Sequence, residues 1–386
     1  MPDLIIACGG APTAVINASL YGVLQEAEKH PEIETVWGAL HGVQGLLSEN
    51  WVNLSQLKAE DVDELLHSPS AAIGTSRTPV TKADYERMTE ILHRRGVGYV
   101  LLNGGNGTMD TCGKLAKACE KYPNIRCVGI PKTIDNDIAV IDHAPGFGSA
   151  ARYAAISAAQ AAIDVRSMPI HVCILETMGR NAGWLAASTA LARQIVPDAP
   201  HLIYLPEIPF AKEKFLQDVK EMHEKYGGVL VTVSEGLVDE TGKSPVPPLF
   251  SSGRAVYPGD IGQYLAKLVI AELGIKARSE KPGILGRASA EHQSPVDRGE
   301  AVLMGRDAVR LAASGQTAVM AGLLRADADG YKIESVAIPI EQVMLNERKM
   351  PEAFIHQNGR DVTDEFIRWC APLVGEMPKP YAHFLP

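Results

Sequence analysis

Gly98-Tyr99-Val100-Leu101-Leu102-Asn103-Gly104-Gly105-Asn106-Gly107-Thr108 reads as a strand, a glycine-rich turn and the start of a helix. The apolar run does not alternate with polar residues, which fits a strand covered on both faces. A helical pattern follows from about Thr108 to Lys121. The next apolar run, Arg126-Cys127-Val128-Gly129-Ile130, leads into Lys132-Thr133-Ile134-Asp135-Asn136-Asp137. Outward from this centre the same alternation recurs. Leu4-Ile5-Ile6-Ala7 precedes Gly9-Gly10 and a helix from about Thr13 to Lys29. His171–Leu175 leads into Glu176–Arg180 and an Ala-rich helix. His201–Leu205 ends at Pro206-Glu207 before a charged helix from about Ala211 to Tyr226. Val229–Val233 ends at Ser234-Glu235-Gly236. This order predicts an α/β fold of mostly parallel sheets covered by helices, with ligands at the carboxyl ends of strands.

The helix from Gly148 to about Val165 is small and apolar, and its alanine pairs 154-155 and 158-159 predict close packing. Segment 238–258 is rich in Gly, Pro and Ser and reads as a connector, and 344–386 as an irregular C-terminal extension.

A length of 386 residues favours two domains. The net charge of −9 argues against a nucleic-acid or anionic-membrane binder, yet leaves room for a local cationic pocket for small phosphates. Six scattered cysteines form no CxxC pair and no zinc spacing, so buried small hydrophobes are expected. Neither a signal-like leader nor an 18-residue apolar run is present, which makes a reduced cytoplasmic enzyme the expected class.

The polar residues after the strands carry the chemistry. Gly9-Gly10 and Gly104, Gly105 and Gly107 open turns whose N–H groups can meet an anion at a helix N-terminus. Asn106 and Thr108 are positioned for a phosphate or a Mg²⁺ water, though the turn lacks the spacing and the GK[ST] ending of a P-loop. In Thr133–Asp137 a carboxylate can take the proton of a hydroxyl that attacks a phosphoryl group, while a second carboxylate orients a metal water or tunes the first. The competing reading of each feature is structural: an ordinary βα turn, an Asx turn after a strand, or, for Asp110, a helix-dipole partner. Arg77 and Arg180 are candidates to fork onto phosphate, and Glu207 and Glu235 to accept from sugar hydroxyls.

These motifs resemble the phosphofructokinase family. Gly9-Gly10, Gly74–Arg77, Gly104–Thr108, Lys132–Asp137, Met178–Arg180, Pro206-Glu207 and Ser234-Glu235 occur in the family's order across roughly residues 4–240. Pro12–Ser19 and Asp361–Phe366 look like its pyrophosphate-type branch. The resemblance implies transfer of a phosphoryl group to the C1 hydroxyl of fructose 6-phosphate, Mg²⁺ as cofactor, and a homodimer or homotetramer. It implies two similar Rossmann-like α/β domains with the active site in the cleft between them. The expected donor domain is 1–138 with about 283–343, and the expected fructose 6-phosphate domain 139–282 with about 344–386. The catalytic candidates are then Asp135, Lys132 and Asp137, with Asp135 as proton acceptor. Thr133, Asp135, Met178, Gly179, Arg180, Glu235 and Arg287 match substrate contacts. Gly10, Arg77, Gly104, Gly105, Gly107 and Thr108 match the donor side, and Asn106 the metal position.

Two positions pull the donor in opposite directions. Pyrophosphate users of the family commonly carry Asp where this chain has Gly107, filling the space of a nucleotide's α-phosphate; glycine there favours ATP. Lys132 is the residue pyrophosphate users carry where standard bacterial ATP users have Gly. Weighing steric exclusion above one cation, the sequence leans to ATP, with pyrophosphate as the alternative. A non-catalytic sugar-phosphate sensor that lost metal binding through Asn106 is a further alternative, and a lipid or NAD kinase a weaker one. His171 replaces an arginine that reaches a neighbour's substrate in many members, so that contact is not carried over.

Overall fold

The computed structural model describes residues 1–252, 255–257, 259–326, 330–344 and 346–382. Residues 253, 254 and 258 of the expected connector, and 345 and 383–386 of the expected C-terminal extension, lie outside them. In chain order the strands are β1 Asp3–Cys8, β2 Val36–Ala39, β3 Trp51–Asn53, β4 Val97–Gly104, β5 Arg126–Pro131, β6 His171–Thr177, β7 Leu202–Tyr204 and β8 Val229–Ser234. They continue with β9 Phe250–Ser252, β10 Ala255–Tyr257, β11 Lys276–Glu280, β12 Val319–Arg325 and β13 Ile333–Pro339. The chain divides into two compact units, 1–149 with 288–348 and 150–287 with 349–386. Residues 139–149 and 344–348 therefore group with the first unit rather than the second, and 283–287 with the second rather than the first.

The first unit is built on a seven-stranded sheet in the order β13-β12-β5-β4-β1-β2-β3. The inner pairs are parallel, and β3 and β13 run antiparallel at the two edges. Successive residues of the central strands feed opposite faces, as the two-residue period of a strand requires. Ile5, Val100 and Leu102 pack on one side with Met109, Cys112 and Leu115 of the helix Asn106–Ala118. Leu4, Ile6, Leu101 and Val128 pack on the other with Leu20 and Val23 of the helix Ile16–Ala27 and Met304 and Ala308 of the helix Pro295–Ala313. Those two helices touch backbone to backbone: a Cβ on Gly22 would lie 2.9 Å from the Val302 carbonyl carbon.

In the second unit the sheet is β11-β6-β8-β7, all parallel, accompanied by the β9–β10 ribbon inside the expected connector. Val172, Ile174, Val229 and Val231 share a core with Phe215 and Val219 of the helix Lys212–Tyr226. Cys173, Leu175 and Leu230 face Ala158, Ala159 and Ala162 of the helix Phe147–Ser167, so small residues do bring that helix close. The C-terminal extension is less irregular than its sequence reads. Thr363 caps a helix over Asp364–Val374, and Phe366 and Trp369 pack tilted and edge-on around Trp184 and Phe354. All six cysteines are buried free thiols. Among the described residues, no helix is long and apolar enough to cross a membrane.

Candidate active site

The first unit gathers the expected donor and catalytic residues at the carboxyl ends of β1, β4 and β5. Gly9 N–H donates to Asn103 O at 2.9 Å and Gly10 N–H to Ser76 O at 3.0 Å, so the two glycine turns and the Gly74–Arg77 stretch lie side by side. Gly10 has φ +76°, where a side chain would be strained. Arg77 follows this pairing with its side chain exposed beside the turn.

Each glycine of the second turn has its own reason. A Cβ on Gly104 would stand 2.5 Å from Thr108 Cβ and 2.8 Å from Gly9 O, and one on Gly9 would strike Thr108 Oγ1. Thr108 is thus a buried wedge between the two turns, where the sequence expects it to face the donor. A Cβ on Gly107, in contrast, meets nothing within 4 Å. Gly107 is exposed in the first turn of the helix Asn106–Ala118, and Gly105 sits at its N-cap.

Lys132 is 2% exposed. Its Nζ donates to Gly9 O at 2.9 Å and Ala11 O at 2.6 Å. A buried ammonium needs such acceptors, and these place its charge beneath the first glycine turn. Thr133 pairs with Gly146 in an isolated bridge, and its Oγ1 accepts from the Asp135 N–H at 3.1 Å, giving the tight turn that carries Asp135. Asn106 Nδ2 donates to Asp137 O at 3.3 Å, joining the second glycine turn to the acidic loop. Burial, then the charges of Asp135 and Glu347, push the Asp137 carboxyl up to about 7.

Asn106 Oδ1 is a buried acceptor with no hydrogen-bond partner among the described residues. An orphaned amide oxygen beside Asp137 suits a hard cation such as Mg²⁺, which keeps several waters and takes few protein oxygens. No three acidic, His or Cys side chains among the described residues form an all-protein cage.

In the second unit, Met178, Gly179 and Arg180 follow β6, and Glu235 follows β8. The Glu235 N–H donates to Thr177 O at 3.0 Å, and Ser234 Oγ donates to Gly179 O, so the structure brings these two segments together. Gly179 has φ +126°, and a Cβ on Gly236 would collide with the Arg180 carbonyl. Burial raises the Glu235 carboxyl above its ordinary value, against the opposing charge of Lys281. Arg287 stands on the short helix Leu285–Ala288. Glu207 supports the backbone: its carboxylate accepts from Gly183 N–H at 2.9 Å and Met350 N–H at 3.3 Å.

Sequence reasoning missed the charged groups that hold the acidic loop. Asp297 accepts from Gly146 N–H at 2.8 Å and Ser149 N–H at 2.9 Å. Only Ser294-Pro295-Val296-Asp297, a helix-start pattern, signals it in the sequence. His143, 1% exposed, lies between Asp142 Oδ2 at 2.8 Å and Glu300 Oε2 at 2.7 Å, with Arg325 on Asp142 and Tyr331 on Glu300. Burial lowers the His143 pKa, but the hydrogen bonds and charges of Asp142 and Glu300 outweigh it and carry the pKa up to about 9.

A folded-state pKa above the unfolded one gives stability that is whole below pH 6.5 and lost as pH rises to about 9. At about 1.36 kcal/mol per pKa unit this is on the order of 3 kcal/mol. The raised Asp137 carboxyl also makes stability fall with rising pH, but below about pH 7, so the range from 7 to 9 reports His143. Urea midpoints should drop across that range in the wild type and stay nearly level in His143→Gln. Parallel curves for the two proteins would show that His143 does not hold its proton in the fold.

A family model described as Phosphofructokinase matches residues 3–312. The pyrophosphate–fructose 6-phosphate 1-phosphotransferase of Xanthomonas campestris is 38% identical over 393 residues, covering 98% of this chain and 93% of that protein. ATP-dependent 6-phosphofructokinase 3 of Bacteroides thetaiotaomicron is 30% identical over 347 residues, covering 86% and 92%. A crystal structure of the pyrophosphate-dependent phosphofructokinase from Marinobacter aquaeolei superposes with a TM-score of 0.89 at 34% identity, covering all of this chain and 94% of that one. This ranking runs against the lean to ATP drawn from Gly107, because likeness over the whole chain weighs more than one open position.

Proposed function

The chain belongs to the phosphofructokinase family, and on that footing we propose that it moves a phosphoryl group from pyrophosphate to the C1 hydroxyl of fructose 6-phosphate. The observation that carries this reading is the joining of two glycine turns to an acidic loop within one unit, through Lys132 to Gly9 O and Asn106 to Asp137 O. N–H groups of the glycine turns meet the donor's phosphate oxygens, helped by Arg77. Lys132 keeps the first turn in shape and adds positive charge under it. Asp135 accepts the C1 hydroxyl proton as that oxygen bonds to phosphorus and the bond to the departing orthophosphate breaks. Asp137 shares the acidic loop with Asp135 and feels the charges of both Asp135 and Glu347. Arg180 and Arg287 take the 6-phosphate, while Thr133, Met178, Gly179 and Glu235 contact the sugar. Asn106 and Asp137 would hold Mg²⁺, which would supply positive charge to the donor oxygens.

A second reading, with ATP as donor, is favoured by the open space at Gly107. The two are separated by kcat/KM for each donor in a coupled assay for fructose 1,6-bisphosphate. The expected result is a preference for pyrophosphate of at least about tenfold, or about 1.4 kcal/mol of transition-state binding. Equal or better turnover with ATP would reverse the assignment.

A further inference from the structure

The stretch between β5 and the helix Phe147–Ser167 carries Asp135 and Asp137 without a helix or strand of its own. Two of its non-glycine residues have left-handed backbones, Asn136 at φ 53° and Val140 at φ 74°. Asparagine tolerates that region, but a β-branched residue there persists only where its surroundings impose it. The imposing group comes from far along the chain. Arg348 Nη1 donates to Ile141 O and, at 2.7 Å, to Asp142 O, and its Nη2 reaches Asn136 O at 3.3 Å. The Arg348 N–H donates to Asp137 O at 2.8 Å, and the neighbouring Glu347 bridges Ile138 in antiparallel fashion. One planar fork thus ties down backbone on both sides of Val140. Lysine, a point charge on a flexible stem, has no such geometry. Arg348 also lies outside the residues that the family model matches.

We propose that Arg348 is a positioning residue for phosphoryl transfer. By joining the carbonyls of Asn136, Ile141 and Asp142 through one guanidinium, it fixes the backbone from which Asp135 and Asp137 project. The inference rests on the reading of Asp135 as the proton acceptor.

The test uses the full chain with Arg348→Met and Arg348→Lys, assayed with fructose 6-phosphate and pyrophosphate. Loss of the fork is expected to lower kcat about 10²-fold in the Met variant, the scale set by a misplacement of about 1 Å. In the Lys variant, which keeps the charge, a drop of about tenfold is expected. KM for fructose 6-phosphate should stay within about threefold in both, as for an interaction made in the transition state. Amide hydrogen exchange should quicken across 133–146 in both variants and stay slow in β1 and β4. Wild-type kcat in both variants, or unchanged exchange across 133–146, would overturn the proposal. So would equal loss of protection in β1 and β4, which marks a merely structural role. If Arg348→Met does not fold, Arg348→Lys decides alone. The exchange readout needs no turnover: a loosened loop in a wild-type-inactive chain would sink the phosphotransfer reading and keep Arg348 as the residue that holds the loop.

Discussion

Asp135→Ala should lower kcat by about 10²- to 10⁴-fold, the range for loss of a positioned general base, while fructose 6-phosphate still binds. The two effects separate because the roles do. Asp135 sits on the tight turn closed by its own N–H to Thr133 Oγ1, whereas the arginines proposed for the 6-phosphate follow β6 and β11. Calorimetric titration should therefore give a dissociation constant within about threefold of wild type, the mark of an interaction made in the transition state alone. Asp135→Asn sharpens the test by keeping the shape and removing the basicity. It should also lower the Asp137 pKa from about 7, because the Asp135 charge is one of the groups holding it up. Carboxyl-carbon NMR of labelled Asp137 would register that shift. Loss of sugar-phosphate binding together with turnover would show that Asp135 acts as a ligand contact. A wild type that binds but never turns over would favour the sensor reading.

Gly104→Ala is expected to damage both the fold and the donor turn. Its Cβ would lie 2.5 Å from Thr108 Cβ and 2.8 Å from Gly9 O. Both neighbours are fixed, one by burial and the other by the Lys132 ammonium. Overpacking of this kind costs about 1–3 kcal/mol. Because the displaced atoms form the donor turn, kcat/KM for the donor should fall by about 10²-fold or more. Gly107→Ala, later in the same turn, should do the opposite. Nothing lies within 4 Å of the added methyl, and alanine favours a helix over glycine by about 0.5–1 kcal/mol. Adding Thr108→Gly to Gly104→Ala should recover part of the donor kinetics at a helix cost of roughly 0.3 kcal/mol. Thermal melts and donor kinetics of the four proteins check this. Equal effects of the two alanine substitutions would refute the wedge role of Thr108.

Much of this architecture is legible in the sequence, for identifiable reasons. β1, β4, β5, β6 and β8 are near-continuous apolar runs because helices cover both sides of their sheets, and the glycine turns and acidic loop fall directly behind them. Periodicity carries no record of pairings made across long stretches of chain. Arg348 on the carbonyls of 136–142, His143 between Asp142 and Glu300, and Asp297 on Gly146 are single charged residues whose partners are fixed only by the fold. The same limit explains Thr108 and Glu207. Each looks like a ligand contact in a motif, yet one fills the space between two turns and the other accepts from two backbone amides. Thr363 at its N-cap marks the start of the C-terminal helix, but the aromatic cluster that this helix completes draws on Trp184 and Phe354. The donor is the most instructive case: Gly107 supports one answer locally, and similarity along the full chain supports the other.

Phosphorus NMR of the wild-type protein with fructose 6-phosphate, pyrophosphate and Mg²⁺ follows the phosphoryl transfer itself. Pyrophosphate-dependent transfer makes the pyrophosphate signal decay as orthophosphate and a C1 phosphate ester of the sugar appear in equal amounts. Pyrophosphate that remains intact, or that yields orthophosphate with no new sugar phosphate, would contradict it.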